Sequence, residues 1–375
     1  MKRFFMVLCL FLLLWPGAWA SERLTVAAKG AVLIDGASGR VLFGQNENEM
    51  FPMASTTKVM TTLLALENAS LDEMVTAGKN AAGVPGTSLY LSEGETLSME
   101  HMLYGLMLRS GNDAAVAVAE HIAGGSGTSA SVPAFADMMN RRAAELNADA
   151  HFVNPHGLDA DGHKISALGL VRVMREAMKN PQFRTITGTT RKVIPWVGNE
   201  YSRVLENKNK LLTTYEGATG GKTGFTNKAG RCLVFSAERD GLELIGAVLN
   251  CPTWFDTATV MLDYGFEHFR MESAYGVGDV VRAVPVINGE VAAVNAVVEE
   301  TLRAAVPIGG PVDVAVTLPD QLDAPVHAGD ILGTAAIKSG GDVVAQCNLV
   351  AAGDVEKVSL KQAFTRLFRN WFWWA

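Results

Sequence analysis

The chain has 375 residues, of which 49% are hydrophobic and 19% are charged, as in an ordinary globular protein. The length favours two domains over one. The net charge of -7 argues against a nucleic-acid partner, because such a partner requires a basic surface.

The first twenty residues have the pattern of a secretory signal peptide. Lys2 and Arg3 provide a positive start, an apolar run follows, and Ala18-Trp19-Ala20 places small residues at the two positions that a signal peptidase reads. We therefore predict export of the chain and cleavage after Ala20. An uncleaved anchor is the alternative, although the apolar run is short for a membrane span.

Residues 21–270 are predicted to form one domain of mixed α and β structure, α/β in the broad sense and α+β in the narrower one, since its sheet is expected to be antiparallel. Strands are expected in a hairpin within residues 24–43 and at residues 232–237 and 242–249, and helices at residues 56–66, 99–108, 113–122, 135–147, 168–178 and 257–269. Because strands begin and end this region, we expect one antiparallel sheet whose first and last strands are neighbours and which is covered by helices.

Residues 271–353 are predicted to form a small all-β domain. Apolar residues mark short strands at residues 280–286, 291–298, 312–318, 331–337 and 343–350. Asn288-Gly289 and Gly340-Gly341 mark turns between them. Helix signals are few after residue 270, and this change in pattern is the reason for placing a domain boundary there.

Residues 354–375 are predicted to contain an amphipathic helix that attaches the protein to a membrane surface. Leu360, Phe364, Leu367, Phe368 and Trp371 recur at the spacing of one helix face, and basic residues occupy other positions. A basic helix with an apolar face and terminal tryptophans is typical of one that lies in a membrane interface. Packing of this helix on the protein itself is the alternative.

Three short motifs are the candidates for the chemistry. Ser55-Thr56-Thr57-Lys58 begins the first strong helix, where residues three apart share a face, so Lys58 can take the proton of the Ser55 hydroxyl. Ser110-Gly111-Asn112 lies between two helices, and Lys222-Thr223-Gly224 is predicted to enter the strand that holds Cys232. Each motif alone has an ordinary structural explanation, as a helix cap, a loop or a strand edge. In this order and in these contexts, they form the motif set of penicillin-binding proteins and class A β-lactamases.

The sequence around the motifs resembles the D-alanyl-D-alanine carboxypeptidases, which are the low-molecular-mass penicillin-binding proteins. The similar segments are residues 52–61, residues 221–226 with Ala229-Gly230, and residues 152–158 with Gly162-His163. The resemblance runs from about Leu24 to the C-terminus. It implies a β-lactamase/transpeptidase-like domain, with an antiparallel sheet flanked by helices, followed by the small all-β domain and the anchor.

The resemblance also implies a role for each motif residue. Ser55 is expected to attack the carbonyl between two D-alanines and form an acyl-enzyme, with Lys58 as the base. Ser110 is expected to pass a proton to the departing D-alanine, and Asn112 to hold the peptide. The other substrate-binding residues that the resemblance implies are Lys222, Thr223, Gly224, Phe225 and Thr226. Lys222 and Thr223 are expected to face the terminal carboxylate, and the backbone N–H groups of Ser55 and Phe225 to form the oxyanion hole.

Two positions depart from well-known members of that family. Those members have histidine where Phe225 stands, and arginine on the strand that here ends at Asn250-Cys251-Pro252. Thr226 and Lys208 are therefore candidates for binding the substrate carboxylate in its place. His163 is interpreted as structural, since the serine and lysine already supply the proton chemistry.

Three alternatives remain open at the level of sequence. A class A β-lactamase requires a glutamate that activates the deacylating water, and the nearest match, Glu145-Leu146-Asn147, has the wrong spacing. A D,D-endopeptidase or transpeptidase would use the same site on peptide cross-links. An inactive peptidoglycan-binding scaffold is the third alternative, against which the intact motifs count.

The expected partners are peptidoglycan stem peptides, with β-lactam antibiotics as acylating inhibitors. The expected location is the outer face of the cytoplasmic membrane, with peripheral attachment through the C-terminal helix. No metal or cofactor is expected, because no Cys/His spacing resembles a metal site. Cys232, Cys251 and Cys347 are interpreted as small buried residues.

Overall fold

The computed structural model describes residues 24–125, 127 and 130–359. The predicted signal peptide and most of the predicted anchor helix lie outside the described residues. Within them, an α/β domain precedes an all-β domain, and the predicted fold class is confirmed. No helix in the described part of the chain has the length and apolar character needed to span a membrane.

Eight α-helices and twelve strands build the first domain in the described ranges. The helices are α1 (Lys58–Asn68), α2 (Met99–Tyr104), α3 (Asn112–Ile122), α4 (Ser131–Glu145), α5 (Ala167–Met178), α6 (Pro181–Gly188), α7 (Leu211–Thr214) and α8 (Trp254–His268). The strands are β1 (Gly30–Asp35), β2 (Val41–Gln45), β3 (Met50–Phe51), β4 (Met74–Thr76), β5 (Thr96–Ser98), β6 (Ala150–His151), β7 (Lys164–Ser166), β8 (Arg191–Ile194), β9 (Arg203–Glu206), β10 (Ala218–Thr226), β11 (Gly230–Arg239) and β12 (Leu242–Leu249).

The central sheet has five antiparallel strands in the order β10-β11-β12-β1-β2. Strand β1 pairs with β12 from Gly30 opposite Leu249 to Asp35 opposite Leu244. The first and last strands of this region are therefore neighbours, as the sequence predicted. The third motif lies on β10, at one edge of the sheet, whereas Cys232 lies on the neighbouring strand β11. The prediction that the motif enters the strand that holds Cys232 was therefore wrong, because a turn separates the two strands.

Helices cover both faces of the sheet. On one face, Val32 and Ile34 of β1 belong to the core cluster that includes α1, α3 and α5. On the other face, Leu33 packs in a second cluster with Met261 and Leu262 of α8. All six residues of β1 are buried, which explains why its sequence is a continuous apolar run rather than an alternating one. Each large aliphatic side chain buried here stabilises the fold by about 1.5–3 kcal/mol.

Several elements differ from their prediction. The helix expected over residues 99–108 ends at Tyr104 and continues as a π-helical turn, Gly105–Arg109. Helix α6 and the β8–β9 hairpin were not predicted, because they are short and their apolar periodicity is weak. The start of α6 was nevertheless readable, since Asn180 caps it by accepting the N–H groups of Gln182 and Phe183, and Pro181 opens its first turn.

The second domain consists of strands β13 (Phe269–Tyr275), β14 (Val280–Ile287), β15 (Ala293–Val298), β16 (Leu302–Pro307), β17 (Val312–Thr317), β18 (Leu322–Asp323), β19 (Ile331–Ser339) and β20 (Asp342–Ala351). Six of them form a sheet in the order β17-β19-β20-β15-β14-β18, and β13 pairs with β16. Strands β13 and β16 were missed from the sequence, and Phe269 was assigned to the preceding helix. We propose the boundary between the domains at the start of β13, close to the predicted position.

A pair of polar side chains joins the two domains. Asp35, which is fully buried at the end of β1, accepts the N–H of Ala305 at 2.9 Å. Arg40 Nη1 donates to the carbonyl of the same alanine at 3.2 Å. Both backbone groups of a residue in β16 are thus held by the β1–β2 turn, which orients the all-β domain against the sheet.

Candidate active site

Ser55 lies in a short 3₁₀ helix, Ala54–Thr57, which runs directly into α1. Its side chain is partly exposed, whereas the residues around it are buried. Lys58 Nζ donates to Ser55 Oγ at 3.0 Å. The three-residue spacing that suggested a contact in the sequence therefore brings the amine to the hydroxyl.

Lys58 is completely buried and makes two further contacts. Its Nζ donates to Asn112 Oδ1 at 2.8 Å and to the carbonyl of His156 at 2.5 Å. Burial, and then the neighbouring amines of Lys222 and Lys208, hold the pKa of Lys58 well below its usual value. As a neutral amine, Lys58 can give its two N–H groups to these acceptors and turn its lone pair towards the serine hydroxyl.

Lys222 on β10 approaches from the opposite side and is also buried, at 1% exposure. The ordinary structural explanation of the third motif was a strand edge at which Lys222 points into solvent. The burial of Lys222 shows that this explanation is wrong. Lys222 Nζ donates to Ser110 Oγ at 3.1 Å and to the carbonyl of Thr223 at 2.8 Å. Burial, followed by the charge of Lys208, lowers the pKa of Lys222 to about 7.

Ser110 ends the π-helical turn in a left-handed conformation, with φ of 64°. Its hydroxyl accepts the hydrogen bond from Lys222 and lines the cleft described below. The N-cap of α3 is Gly111, so the alternative interpretation of Ser110 as the N-cap of that helix is wrong; Ser110 instead caps the C-terminal end of the π-helical turn. A serine held in this uncommon conformation indicates that the surrounding contacts determine its position.

Asn112, the last residue of the second motif, is buried and uses both ends of its amide. Its Oδ1 accepts from Lys58, and its Nδ2 donates to the carbonyl of Pro85 at 2.7 Å. The side chain therefore orients Lys58 in this structure. A direct contact of Asn112 with a bound peptide stays a prediction.

The turn that contains His156 closes the site beside Ser55. The His156 carbonyl accepts from Lys58 and, at 3.3 Å, from Ser55 Oγ. Gly157 has φ of 90°, and a Cβ atom there would lie 2.0 Å from the carbonyl oxygen of Ala54. Burial, then the nearby Lys58 amine, lowers the pKa of His156 to about 3, so this residue acts through its backbone rather than as an acid or base.

His163 has the contacts of a structural residue. Its Nδ1 accepts the N–H of Val153 at 3.0 Å, which places the ring proton on Nε2. Nε2 lies 2.8 Å from Thr57 Oγ1 and donates to it. Burial, and then the charge of His151, lowers the pKa of His163 to about 4, so the ring stays neutral.

A cleft of about 240 Å³ opens onto Ser55. The described residues that line it are Ser55, Thr87, Ser110, Lys208, Thr223, Gly224, Phe225 and Trp254. Three residues of β10 thus form one side, as the third motif suggested. A Cβ atom on Gly224 would lie 2.9 Å from the backbone nitrogen of Ser55, so only glycine lets the strand come this close. Phe225 is 61% exposed and stands at the rim.

The two candidates for binding a carboxylate occupy different places. Lys208 lines the cleft, and burial, followed by the charge of Arg109, lowers its pKa. Thr226 is not part of the described lining, and its hydroxyl donates to Asp159 Oδ1 at 2.7 Å. Lys208 is therefore the better placed of the two.

Two lining residues were not identified from the sequence. Thr87 lies in a loop rich in Gly and Pro, and Trp254 is the first residue of α8. Neither belongs to a motif, and the single available signal was an aromatic residue directly after Asn250-Cys251-Pro252-Thr253, where an arginine was missing. When protonated, the amines of Lys208 in the lining and of Lys222, which contacts Ser110, make the cleft attractive to an anionic group.

The carboxylate required by the β-lactamase alternative is not found in this cleft. Of the described lining residues, none is aspartate or glutamate. Glu145, the nearest match in the sequence, lies at the end of α4 with an exposed side chain and pairs with Arg142 at 3.0 Å. Among the described residues, no group of three or more His, Cys, Asp or Glu side chains could hold a metal ion.

Comparison with known proteins finds matches to both domains. Residues 18–253 match the family described as peptidase S11, D-alanyl-D-alanine carboxypeptidase. Residues 269–357 match the family described as penicillin-binding protein 5, C-terminal domain. The two matches together cover most of the described chain.

Individual relatives match over nearly the whole length. The D-alanyl-D-alanine carboxypeptidase DacF of Bacillus subtilis is 31% identical over 374 residues, which cover 95% of this chain and 94% of the relative. DacC of Escherichia coli, also a D-alanyl-D-alanine carboxypeptidase, is 30% identical over 389 residues, with coverage of 95% and 94%. Among solved structures, penicillin binding protein 5 from Haemophilus influenzae has a TM-score of 0.77 at 27% identity and covers 89% of this chain and 99% of its own.

Proposed function

Because the chain belongs to the peptidase S11 family of D-alanyl-D-alanine carboxypeptidases, we propose that it removes the terminal D-alanine of peptidoglycan stem peptides through an acyl-enzyme on Ser55. The observation that carries the proposal is the 3.0 Å contact between Ser55 Oγ and the buried amine of Lys58 at the cleft. A serine hydroxyl is a weak nucleophile without an adjacent base, and a lysine with a lowered pKa is such a base.

In the acylation step, Ser55 Oγ attacks the carbonyl carbon that joins the last two D-alanines. The hydroxyl proton passes to Lys58 Nζ as the Oγ–C bond forms. The C–N bond then breaks, and the departing D-alanine amine takes a proton from the hydroxyl of Ser110. The hydrogen bond from Lys222 Nζ to Ser110 Oγ supplies the replacement proton.

The oxyanion of the intermediate is proposed to bind the backbone N–H groups of Ser55 and Phe225. Support comes from the close approach of β10 to the backbone nitrogen of Ser55 at Gly224, the residue directly before Phe225. Removing one such donor costs about 2.7–4 kcal/mol of transition-state stabilisation in comparable enzymes.

Before the second step, Lys58 loses the proton taken from Ser55 and Lys222 regains the proton given to Ser110, both by exchange with solvent. A water molecule then attacks the acyl carbonyl carbon and gives a proton to Lys58, and Lys58 returns it to Ser55 Oγ as the Oγ–C bond breaks and the shortened peptide leaves. The contacts of Lys58 with Asn112 and His156 hold the amine in place for this second proton transfer. No carboxylate in the described lining assists that water. We therefore propose that a bound penicillin, whose ring blocks the approach of water, remains attached as a stable adduct.

The free carboxylate of the substrate is proposed to bind Thr223 and Lys208. Both line the cleft, and the arginine found in well-known relatives on the strand that here ends at Asn250-Cys251-Pro252 is missing. Phe225 and Trp254 line the same cleft as Lys208.

Lys208→Met is expected to raise KM for a peptide ending in D-alanyl-D-alanine by about ten- to a hundredfold, with a smaller change in kcat. A hydrogen bond to a charged group contributes about 1.5–3 kcal/mol, and this is the affinity that the variant loses. The measurement is steady-state D-alanine release. Lys210→Met, which removes an exposed lysine of the same segment, is the matched control. An equal loss on a peptide whose terminal carboxyl is amidated would contradict a role in carboxylate binding.

Location and domain extents complete the proposal. We propose that the chain is exported by residues 1–20 and held at the outer face of the membrane by a helix within residues 354–375. The sequence patterns of both segments support this. The catalytic domain then spans residues 21–270 and the all-β domain residues 271–353.

The test is incubation of the full chain, produced with its export signal, with a fluorescent penicillin, followed by mass spectrometry and an assay of D-alanine release from a pentapeptide. A lasting adduct on the Ser55 peptide together with D-alanine release supports the proposal. Rapid penicillin hydrolysis without a lasting adduct would indicate a β-lactamase. Consumption of cross-linked dimers in place of pentapeptide would indicate an endopeptidase or transpeptidase. Neither adduct nor turnover would indicate a scaffold.

A further inference from the structure

A segment of irregular backbone, residues 85–91, contributes Thr87 to the lining of the cleft and holds the second motif; it is called the wall segment below. Thr87 lines the cleft, its hydroxyl donates to the carbonyl of Ser110 at 2.6 Å, and its own carbonyl accepts the N–H of Asn112 at 2.7 Å. The Pro85 carbonyl accepts from Asn112 Nδ2 at 2.7 Å. The wall segment thus fixes the backbone of both motif residues and the side-chain amide of one.

The N–H groups of the wall segment are held by one carboxylate. Asp113 is 1% exposed and lies directly after the second motif in α3. Its oxygens accept the N–H of Leu89 at 2.9 and 3.0 Å, the N–H of Leu91 at 3.1 Å and the hydroxyl of Ser88 at 2.6 Å. One side chain therefore satisfies several donors that the irregular backbone leaves without partners in regular structure.

The carbonyl groups of the same segment are held by Arg203 of β9, which is 6% exposed. Its Nε donates to the carbonyl of Leu89 at 2.9 Å, and its Nη2 donates to that of Tyr90 at 3.3 Å. The guanidinium is oriented by a buried ion pair with Glu95, with N–O distances of 2.6 and 2.9 Å. The segment is therefore clamped on its donor side by Asp113 and on its acceptor side by Arg203.

We propose that Asp113 and Arg203 are positioning residues of the reaction, which fix the wall segment and, through it, the hydroxyl of Ser110 and the amide of Asn112. This inference rests on the proposed function and adds to it residues that no motif names. Neither side chain belongs to the described lining of the cleft, so both act through the backbone between them. Misplacing a reacting group by about 1 Å lowers a rate roughly a hundredfold, and a loop without clamps permits such displacements.

The charge of Asp113 provides a readout that a purely structural role would not affect. The charged or titratable groups that interact with Lys58 are Asp113, Lys222, Lys208, His156 and His163. Both histidines are neutral in the neutral range, because burial depresses their pKa values to about 3 and about 4. Asp113 raises the pKa of Lys58, against the effect of burial and the other lysines. Removing its charge lowers that pKa further, so neutral Lys58 persists to lower pH.

The experiment compares acylation by a fluorescent penicillin in the full-length wild type, Asp113→Asn and Arg203→Lys, as a function of pH. Arg203→Lys keeps the charge that pairs with Glu95 but loses the planar fork that reaches two carbonyls. Both variants are expected to acylate roughly ten- to a hundredfold more slowly. The acidic limb of the pH profile is expected to move to lower pH in Asp113→Asn and to stay in place in Arg203→Lys.

The matched control is Asp263→Asn, which alters a carboxylate of α8 that accepts the Tyr215 hydroxyl at 2.8 Å on the other side of the sheet. The folded fraction of every variant is measured by thermal unfolding, and rates are compared for folded protein. Folded Asp113→Asn and Arg203→Lys that acylate at the wild-type rate would overturn the inference, as would an equal loss in Asp263→Asn. A wild-type chain that is not acylated at Ser55 would instead overturn the proposed function, so the two failures are distinguishable.

Discussion

Replacing Ser55 with alanine is expected to abolish covalent labelling by a penicillin and to lower kcat for D-alanine release by about 10⁴-fold or more. In serine hydrolases that use an activated serine nucleophile, loss of that serine lowers kcat by several orders of magnitude, and the rest of the site supports a small residual rate. The Ser55 side chain contributes little to stability here, since it is partly exposed. We therefore expect the variant to fold and to retain substrate affinity.

The measurement is single-turnover labelling, followed by mass spectrometry of the labelled peptide and steady-state assay of D-alanine release. Ser38→Ala, in the β1–β2 turn, is the matched control, because its hydroxyl contacts Asp35 away from the cleft. Labelling of the Ser55→Ala protein on Ser110, the other serine of the lining, would show that the nucleophile has been assigned incorrectly.

Replacing Lys58 with methionine is expected to slow acylation by about 10²–10⁴-fold, the usual contribution of a general base. Arginine is expected to be no better, because the guanidinium keeps its proton and cannot accept one from Ser55. Methionine leaves Asn112 Oδ1 and the His156 carbonyl without the hydrogen bonds that Lys58 donates, so part of its effect appears as lower thermal stability.

The pH dependence distinguishes loss of the base from loss of structure. The proposed mechanism requires neutral Lys58, whose pKa is lowered by burial, so we expect the wild-type rate to fall as pH decreases through that pKa. The mechanism also requires that Lys222 keep its proton, and its pKa of about 7 predicts a second fall as pH rises. Lys58→Met is expected to lose the acidic limb and keep the alkaline one. Lys164→Met, at an exposed position of β7, should keep both limbs. An acidic limb that persists in Lys58→Met would assign that limb to another group.

The first and third motifs could be found in the sequence because each is a local pattern with a local consequence. Ser55 and Lys58 are three residues apart on one helical path, and that spacing alone brings the amine within 3.0 Å of the hydroxyl. Gly224 allows β10 to approach Ser55 closely. This glycine belongs to the third motif, so it could be identified from the sequence.

The contributions of His156, Thr87 and Arg203 could not be found in the same way. His156 acts through a carbonyl, and every residue has one, so its type carries no signal. Thr87 and Arg203 lie in segments whose apolar periodicity is weak, and their partners are distant in the chain. Asp113 follows the second motif directly, yet nothing in its type or position indicates that its carboxylate holds a loop more than twenty residues earlier in the chain.

By itself, the sequence determined the fold class, the two-domain order, the neighbouring first and last strands of the sheet and the motif residues, because periodicity and short spacing act over a few residues. Only the tertiary structure decided the state of Lys58 and Lys222, the place of Lys208 in the cleft and the clamping of the wall segment. A lowered pKa requires burial and nearby charge, and a cleft requires side chains from distant elements. Both depend on contacts between residues far apart in the chain, which neither composition nor spacing encodes.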